Sequence, residues 1–287
     1  MPPRSDRVTF AVVGHNEAAS LEYSLEQALA AALPGEEVWF VDSGSTDDSL
    51  AVAAPLAARV LEAPLGKGRA IAAALEGCGS GYLCLLDADL TASEVNIPVA
   101  LREAAARRAI DMLVAEFDWP GRRRSVVPGI YVPLVGTLFP EVLQQVPYRP
   151  TSGFRVLNAE LDLGPLPPGY GVETHLNVVL TVRGATVATV PIGWIAGPVP
   201  SLDHMPQLGR DVATAALDLA VETGRLSPSN RGLWEQWVEA VLEVIARQPP
   251  VGRPDDLFQR ELAEAISQPL PAAGRSTDRS APRPGPA

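Results

Sequence analysis

The chain has few basic residues. Among its 287 residues, 23 are Lys or Arg and 34 are Asp or Glu, which gives a formal net charge of −11. Nucleic-acid-binding proteins concentrate Lys and Arg against the phosphate backbone, and anionic membranes attract polybasic segments. The composition therefore argues against both kinds of partner. Any phosphate-bearing ligand must be met by a few local cations or by a metal ion.

Cysteine and long apolar runs are also scarce. The only two cysteines, Cys78 and Cys84, lack the spacing of a zinc site, and we expect two reduced thiols. No apolar run approaches the roughly 20 residues of a membrane helix, and no signal-peptide core follows Met1. The sequence therefore predicts a cytoplasmic protein without an integral membrane segment.

Short apolar runs alternate with helical patterns in the first half of the chain. Such alternation predicts βαβ units and a parallel sheet. Strands are predicted at 8–13, 38–41, 59–61, 82–86 and 112–115, and helices at 18–32, 45–54, 67–75 and 93–108.

The second half is less regular and ends in a biased tail. Helices are predicted at 134–145, 172–182, 208–222 and 233–247, with a strand at 186–192. From Gln248 onward, Pro, Gly, Ala, Arg and Ser dominate, so residues 248–287 are expected to be largely flexible. Residues 1–6 are also expected to be flexible.

Polar clusters follow three of the predicted strands directly. In parallel sheets, ligands bind beyond the carboxyl ends of the strands. We therefore expect these clusters to meet at one edge of the sheet: His15-Asn16-Glu17, Asp42-Ser43-Gly44 and Asp87-Ala88-Asp89.

Asp87-Ala88-Asp89 has the chemistry of a metal site. Two carboxylates at a strand end can reach one ion, and Mg²⁺ or Mn²⁺ prefers oxygen ligands shared with substrate phosphates. The tripeptide alone is also compatible with an ordinary acidic turn. His204, in a polar loop, is either a second metal ligand or a surface histidine.

Gly66-Lys67-Gly68-Arg69 opens a predicted helix. Glycines permit close backbone approach, and the two cations suit a phosphate at a helix N-terminus. The spacing matches neither a Walker A loop nor a dinucleotide fingerprint. A solvated helix start is the alternative.

Taken together, these motifs resemble GT-A glycosyltransferases over residues 8 to about 120. The resemblance implies an α/β GT-A (Rossmann-like) fold for nucleotide-diphospho-sugar transfer, with a mixed, mainly parallel central sheet flanked by helices. It rests on four segments in the expected order: Val12-Val13-Gly14-His15-Asn16-Glu17, Val41-Asp42-Ser43-Gly44-Ser45-Thr46-Asp47, Gly66-Lys67-Gly68 and Leu86-Asp87-Ala88-Asp89.

The second half is similar to glucosyl-3-phosphoglycerate synthases and their mannosyl relatives. These enzymes transfer glucose from UDP-glucose, or mannose from GDP-mannose, to 3-phosphoglycerate with retention, on the way to glucosylglycerate or mannosylglycerate. The similarity rests on 133–141, Pro167-Pro168-Gly169-Tyr170-Gly171-Val172-Glu173, and His204 ahead of Leu208-Gly209-Arg210. It divides the chain into a nucleotide-sugar-binding half (7–120) and an acceptor-binding half (121–247).

The resemblance also implies site residues. Glu17, Asp42, Ser43, Lys67, Asp87 and Ala88 would bind the sugar donor. Asp89 and His204 would hold a divalent metal, Mg²⁺ or Mn²⁺. Glu173, Lys67 and Asp89 would carry the catalysis. Arg122, Arg123, Arg124, Ser152 and Gly153 would bind the acceptor.

Two departures leave the acceptor open. The family's Arg-x-Thr-Glu-Leu stretch has Ser125, Val127 and Pro128 at the ungapped positions, and the arginines 122–124 lie just upstream. Residues 150–157, Pro-Thr-Ser-Gly-Phe-Arg-Val-Leu, look more like polyprenyl-phosphate mannosyltransferases.

Three alternatives remain to a glycosyltransferase that uses a small anionic acceptor. They are a glycosyltransferase that uses a polyprenyl-phosphate acceptor, a nucleotidyltransferase, and a non-catalytic binding protein on the same scaffold. Relatives often form dimers, so a homodimer is open as well.

Overall fold

The computed structural model describes residues 7–107, 110–120, 125–198, 202–249 and 256–274. Within these ranges, eight strands form one mixed sheet flanked by helices. The strands are β1 Val8–Gly14, β2 Glu37–Asp42, β3 Arg59–Glu62, β4 Tyr82–Asp87, β5 Ala92–Ser93, β6 Met112–Asp118, β7 Arg155–Asn158 and β8 Val187–Ala196.

The helices are α1 Leu21–Ala31, α2 Ser49–Ala53, α3 Lys67–Cys78, α4 Ile97–Ala106, α5 Val132–Leu138, α6 Pro140–Gln145, α7 Val172–Val182, α8 Met205–Glu222, α9 Arg231–Ile245 and α10 Asp256–Ser267. A π-helical turn, Val127–Tyr131, leads into α5, and a 3₁₀ turn, Pro228–Asn230, precedes α9.

The strand order is β3-β2-β1-β4-β7-β6-β8-β5. The pairs β1–β2, β2–β3, β1–β4 and β6–β8 are parallel, whereas β7 and β5 pair with their neighbours in antiparallel fashion. The mixed, mainly parallel sheet predicted from the sequence is therefore confirmed. The antiparallel strand β7, inserted between β4 and β6, begins at Arg155, the last residue of a segment, 151–155, for which the sequence predicts a turn or a short strand.

The strand register brings the predicted polar clusters together. Gly14 lies opposite Asp42 on β2, and Val13 lies opposite Asp87 on β4. The carboxyl ends of these three parallel strands therefore lie at one edge of the sheet, as the sequence predicts.

Alternating side chains of β1 face two different cores. Phe10 and Val12 pack with α1 and α4, while Ala11 and Val13 pack with α3 and α7. A third core, formed mainly by α5 to α10, lies beyond the sheet. A strand that is covered on both faces appears in the sequence as a continuous run of apolar residues. For this reason the strands can be told from the intervening helices in the sequence.

Two predictions about the helices were wrong. The helix predicted at 134–145 is broken at Phe139 (φ −140°, ψ 59°), because the following Pro140 disfavours a helical conformation at the residue before it. The helix predicted at 45–54 begins only at Ser49, since the N–H groups of Gly44 and Ser45 bond to the Asp42 carboxylate in a turn.

The segment after 248, expected to be largely flexible, contains a packed helix. In α10, Phe258 and Leu262 are buried against the helical core. Short stretches rich in Pro and Gly on both sides hide this twelve-residue amphipathic pattern.

We expect Phe258→Ala to lower the free energy of unfolding by about 3 kcal/mol, because it empties a buried aromatic position. Leu257→Ala is the matched control, since Leu257 is 66% exposed and should change stability by no more than about 0.5 kcal/mol. Denaturant unfolding measures both. Equal effects of the two substitutions would mean that α10 does not pack in solution.

Candidate active site

A cavity of about 1230 Å³ lies at the sheet edge where the polar clusters meet. This exceeds the roughly 300–1,000 Å³ typical of a single-ligand pocket, so it has room for two substrates. Most predicted site residues line it: Glu17, Ser43, Lys67, Asp87, Ala88, Asp89, Ser152, Gly153, Glu173 and His204.

Among the predicted site residues that the structure describes, Asp42 does not line the cavity. Asp42 is 3% exposed. Its carboxylate instead accepts hydrogen bonds from the N–H groups of Gly44 and Ser45, both at 3.0 Å. Asp42 therefore shapes the loop that presents Ser43. Arg122, Arg123 and Arg124 lie outside the described residues.

Lys67 forms two ion pairs at the centre of the site. Its Nζ lies 2.8 Å from Asp87 Oδ1 and 2.7 Å from Glu173 Oε1. Burial alone lowers the pKa of Lys67, but the two carboxylates outweigh burial and raise it. Lys67 is therefore a permanent cation, and it draws together residues from α3, β4 and α7.

The glycines beside Lys67 have a packing role. A Cβ on Gly66 would collide with the Pro168 carbonyl oxygen, and a Cβ on Gly68 with that of Pro167. Gly66 also has φ +137°, which L-residues rarely adopt. The start of α3 can therefore lie against the Pro167–Pro168 backbone, which brings Lys67 to Glu173. The sequence suggests a phosphate cradle for this motif, but in the structure its glycines make room for a loop.

Ser43 connects this segment to the end of β2. Its Oγ accepts a hydrogen bond from the Gly66 N–H at 2.9 Å, and its own N–H donates to the Gly14 carbonyl at 2.9 Å. Ser43 therefore holds the strand ends and the start of α3 in register around the cavity.

A buried arginine supports the opposite wall. Arg155 is 1% exposed and donates to the carbonyl oxygens of Ser152 (2.6 Å) and Pro150 (2.7 Å) and to Asn177 Oδ1 (2.7 Å). These bonds fix the loop that carries Gly153. A Cβ on Gly153 would collide with the Asp87 carboxylate, so this loop packs directly on the ion-pair cluster.

Asp89 and His204 line the same cavity from the end of β4 and from the start of α8. The His204 ring lies 6.0 Å from that of Tyr170, whose N–H donates to Asp211 Oδ2 at 2.8 Å. No group of three His, Cys, Asp or Glu side chains in the described ranges is arranged to hold a metal. The Asp89 carboxylate nevertheless suits Mg²⁺ or Mn²⁺, which commonly complete their coordination with water and substrate phosphates, and His204 offers an imidazole nitrogen to the same cavity.

Glu17 is a partly buried carboxylate on the rim of the cavity. Burial is the main cause that raises its pKa to about 7, and the charges of Asp89 and Asp87 add to it, while the hydrogen bond from Ser20 opposes it.

We therefore expect Glu17→Gln to raise the Tm at pH 8 and to leave it unchanged at pH 4. The folded-state pKa, about 7, lies above the ordinary glutamate value of 4.5. The stability linked to protonated Glu17 is thus present below about pH 4.5 and is lost as the pH rises through 7. Glutamine does not ionise, so it avoids this loss. Thermal unfolding without nucleotide or metal measures the effect, with the exposed Glu22→Gln as control. An unchanged Tm at pH 8 would contradict the shift.

Several lining residues are not among the site residues predicted from the sequence. Tyr170 sits in the quoted Gly169–Gly171 loop, so its flanking glycines could have revealed it. Asp211 lies inside α8 and gives no such signal. The others are Trp119, Tyr148, Arg149, Ser125 and Gln248.

Comparison with known proteins agrees with this geometry. The model of the family described as Glycosyl transferase family 2 matches residues 9–140. Over these residues the chain is similar to glycosyl transferase family 2. No curated protein sequence matches the chain.

Solved structures extend the similarity beyond residues 9–140. A glucosyl-3-phosphoglycerate synthase from Mycobacterium tuberculosis, in complex with Mn²⁺, UDP-glucose and phosphoglyceric acid, is 26% identical, with a TM-score of 0.66 over 75% of this chain and 80% of that one. The same enzyme with Mg²⁺ and UDP is 27% identical, with a TM-score of 0.66 over 75% and 79%. The chain is a glycosyltransferase with the GT-A fold, as the strand-end motifs predicted. Within the described ranges, no helix is long and apolar enough to cross a membrane.

Proposed function

We propose that the chain transfers a hexose, glucose or mannose, from a nucleotide-diphosphate sugar to a small anionic acceptor such as 3-phosphoglycerate, with retention of anomeric configuration. The observation that carries the proposal is the Lys67–Asp87–Glu173 cluster, which shares one cavity with Asp89 and His204. The similar mycobacterial enzyme, crystallised with Mn²⁺, UDP-glucose and phosphoglyceric acid, supports the choice of substrates.

Asp89 and His204 would hold a divalent metal. When bound, such a metal neutralises charge on a departing diphosphate. Lys67 adds a fixed positive charge, held in place by two carboxylates before the substrates arrive. Fixed charges of this kind stabilise a developing negative charge without reorganisation during the reaction.

The transfer itself exchanges one C–O bond for another. The bond between the anomeric carbon and the diphosphate oxygen breaks, and that oxygen keeps the electron pair. The acceptor hydroxyl oxygen bonds to the anomeric carbon, and its proton passes to the departing phosphate oxygen. Because the leaving group can take the proton, the chain needs no strong general base, and Glu173, held by Lys67, is left to orient sugar or acceptor hydroxyls.

A thermal-shift panel tests the sugar-donor site. UDP, GDP, UDP-glucose, GDP-mannose and GDP-glucose are each added with Mn²⁺ or Mg²⁺ to the wild type. We expect a metal-dependent rise in Tm with nucleotides of one base, because ligands that bind the folded state stabilise it. The rise should be lost in Asp89→Ala and kept in Glu76→Ala, an exposed carboxylate on α3. No rise with any nucleotide would contradict the proposal.

A further inference from the structure

Two polar side chains that the proposed chemistry does not use line the same cavity as the ion-pair cluster. They are Ser125, just before the π-helical turn, and Gln248, just after α9. They are 2% and 7% exposed. Ser125 Oγ and Gln248 Oε1 are both buried, and neither has a hydrogen-bond partner among the residues that the structure describes.

These two residues belong to segments that pack on one another. Gly129 donates its N–H to the Ser125 carbonyl at 2.8 Å, and Gln248 donates its N–H to the Ile245 carbonyl at 3.0 Å. A Cβ on Gly129 would lie only 3.3 Å from Ile245 Cδ1. The turn that begins at Ser125 therefore rests on the last turn of α9, and Gln248 follows directly from it.

The same segments and α8 also contribute apolar lining residues: Val126, Val127, Leu208 and Ala246. An unsatisfied buried polar atom is costly, and most such atoms in native proteins find a partner. Two of them in the lining of a substrate cavity, on segments that pack on one another, indicate a ligand that completes their hydrogen bonds.

The chemistry of the two atoms defines that ligand. A glutamine Oε1 only accepts hydrogen bonds, and a serine Oγ accepts and donates. A fully ionised carboxylate or phosphate has no hydrogen to give to Gln248 Oε1, whereas a hydroxyl can donate to this oxygen and accept from Ser125 Oγ. The charge of the cavity also favours a hydroxyl over a second anionic group. The described lining contains six carboxylates and two cations: Glu17, Asp87, Asp89, Glu173, Asp203 and Asp211 against Lys67 and Arg149.

We propose that Ser125 and Gln248 form an acceptor subsite that binds a hydroxyl group other than the one that receives the sugar. The inference rests on the proposed function and refines its acceptor. A polyol phosphate fits this subsite better than 3-phosphoglycerate, whose single hydroxyl is consumed in the transfer.

Glycerol 3-phosphate and 3-phosphoglycerate form a matched pair for the test, since the first has a hydroxyl where the second has a carboxylate. Calorimetry measures their Kd on protein loaded with Mn²⁺ and the nucleoside diphosphate that the thermal-shift panel selects. We expect the wild type to bind glycerol 3-phosphate at least about tenfold more tightly. Sites built to hydrogen-bond a hydroxyl discriminate strongly against analogues that lack it.

Two variants remove the hydrogen-bonding atoms of the subsite and change the volume of its side chains little. Gln248→Met keeps the volume of the side chain, and Ser125→Ala removes only the hydroxyl. Each should raise the Kd of glycerol 3-phosphate about tenfold and leave that of 3-phosphoglycerate unchanged. Gln236→Met, the same substitution at an exposed position of α9, is the control and should change neither Kd.

The outcomes separate this inference from the proposed function. No binding of glycerol 3-phosphate to the wild type, no preference over 3-phosphoglycerate, or equal Kd values in all four proteins would overturn the subsite, and would indicate that the two atoms bond only to water. Failure of the proposed function would appear elsewhere, as no nucleotide-dependent shift in Tm or no sugar transfer to any acceptor.

Discussion

Lys67→Met is expected to reduce the rate of sugar transfer at saturating substrate concentrations by about a thousandfold. Loss of one preorganised charge-stabilising group typically costs 10²- to 10³-fold in kcat. Here the loss also leaves Asp87 and Glu173 facing each other without the cation that lies 2.8 and 2.7 Å from them. Their repulsion should move Glu173 away from its place beside the substrates, so the effect should lie at the upper end of this range.

Arg69→Met is the matched control for this prediction. Arg69 lies two residues further along α3, is exposed, and bonds to the Leu65 carbonyl without lining the cavity. The Arg69→Met substitution removes one positive charge from the same helix, as Lys67→Met does. The transfer rate of this variant should stay within about twofold of the wild type, as expected of a surface substitution. A similar loss in both variants would show that general electrostatics, rather than the Lys67 ion pairs, supports transfer.

Arg155→Met is expected to lower the free energy of unfolding by at least about 3 kcal/mol. Hydrogen bonds to a charged group contribute roughly 1.5–3 kcal/mol each, and the substitution removes three that Arg155 makes to Pro150, Ser152 and Asn177. It also leaves their buried acceptors without a donor. Denaturant unfolding measures the loss.

Arg155→Lys separates charge from geometry. Lysine keeps the positive charge but lacks the planar guanidinium that reaches three acceptors at once. We expect an intermediate stability and a reduced kcat, because the loop carrying Gly153 would no longer be fixed against Asp87. Wild-type stability in either variant would contradict the role assigned to Arg155.

The strand-end clusters are predictable from the sequence because their causes are local. Continuous apolar runs such as Val8–Val13 mark buried parallel strands, and parallel strands place their carboxyl ends at one edge. Asp87, Ala88 and Asp89 therefore follow their strand as expected. Glu17 and Ser43 line the cavity for the same reason, since each follows the end of a parallel strand that reaches this edge.

Roles that depend on distant contacts are not predictable in this way. Nothing near Lys67 in the sequence indicates that it pairs with Glu173 on α7, or that Gly66 and Gly68 make room for two proline carbonyls. Asp42 has the residue type and position expected of a ligand-binding group, yet it serves the turn that follows it. Such assignments follow from tertiary packing, which a single sequence does not display.

Sugar transfer by this chain is tested most directly by identifying the product of the reaction. The chain is incubated with Mn²⁺, a nucleotide-diphosphate sugar of the base that stabilises it, and either 3-phosphoglycerate or glycerol 3-phosphate, and the mixture is analysed by mass spectrometry. We expect an acceptor one hexose heavier and an equal amount of nucleoside diphosphate, both absent in Asp89→Ala and strongly reduced in Lys67→Met. An unchanged nucleotide sugar and unchanged acceptors, from folded protein that binds the nucleotide, would contradict this expectation.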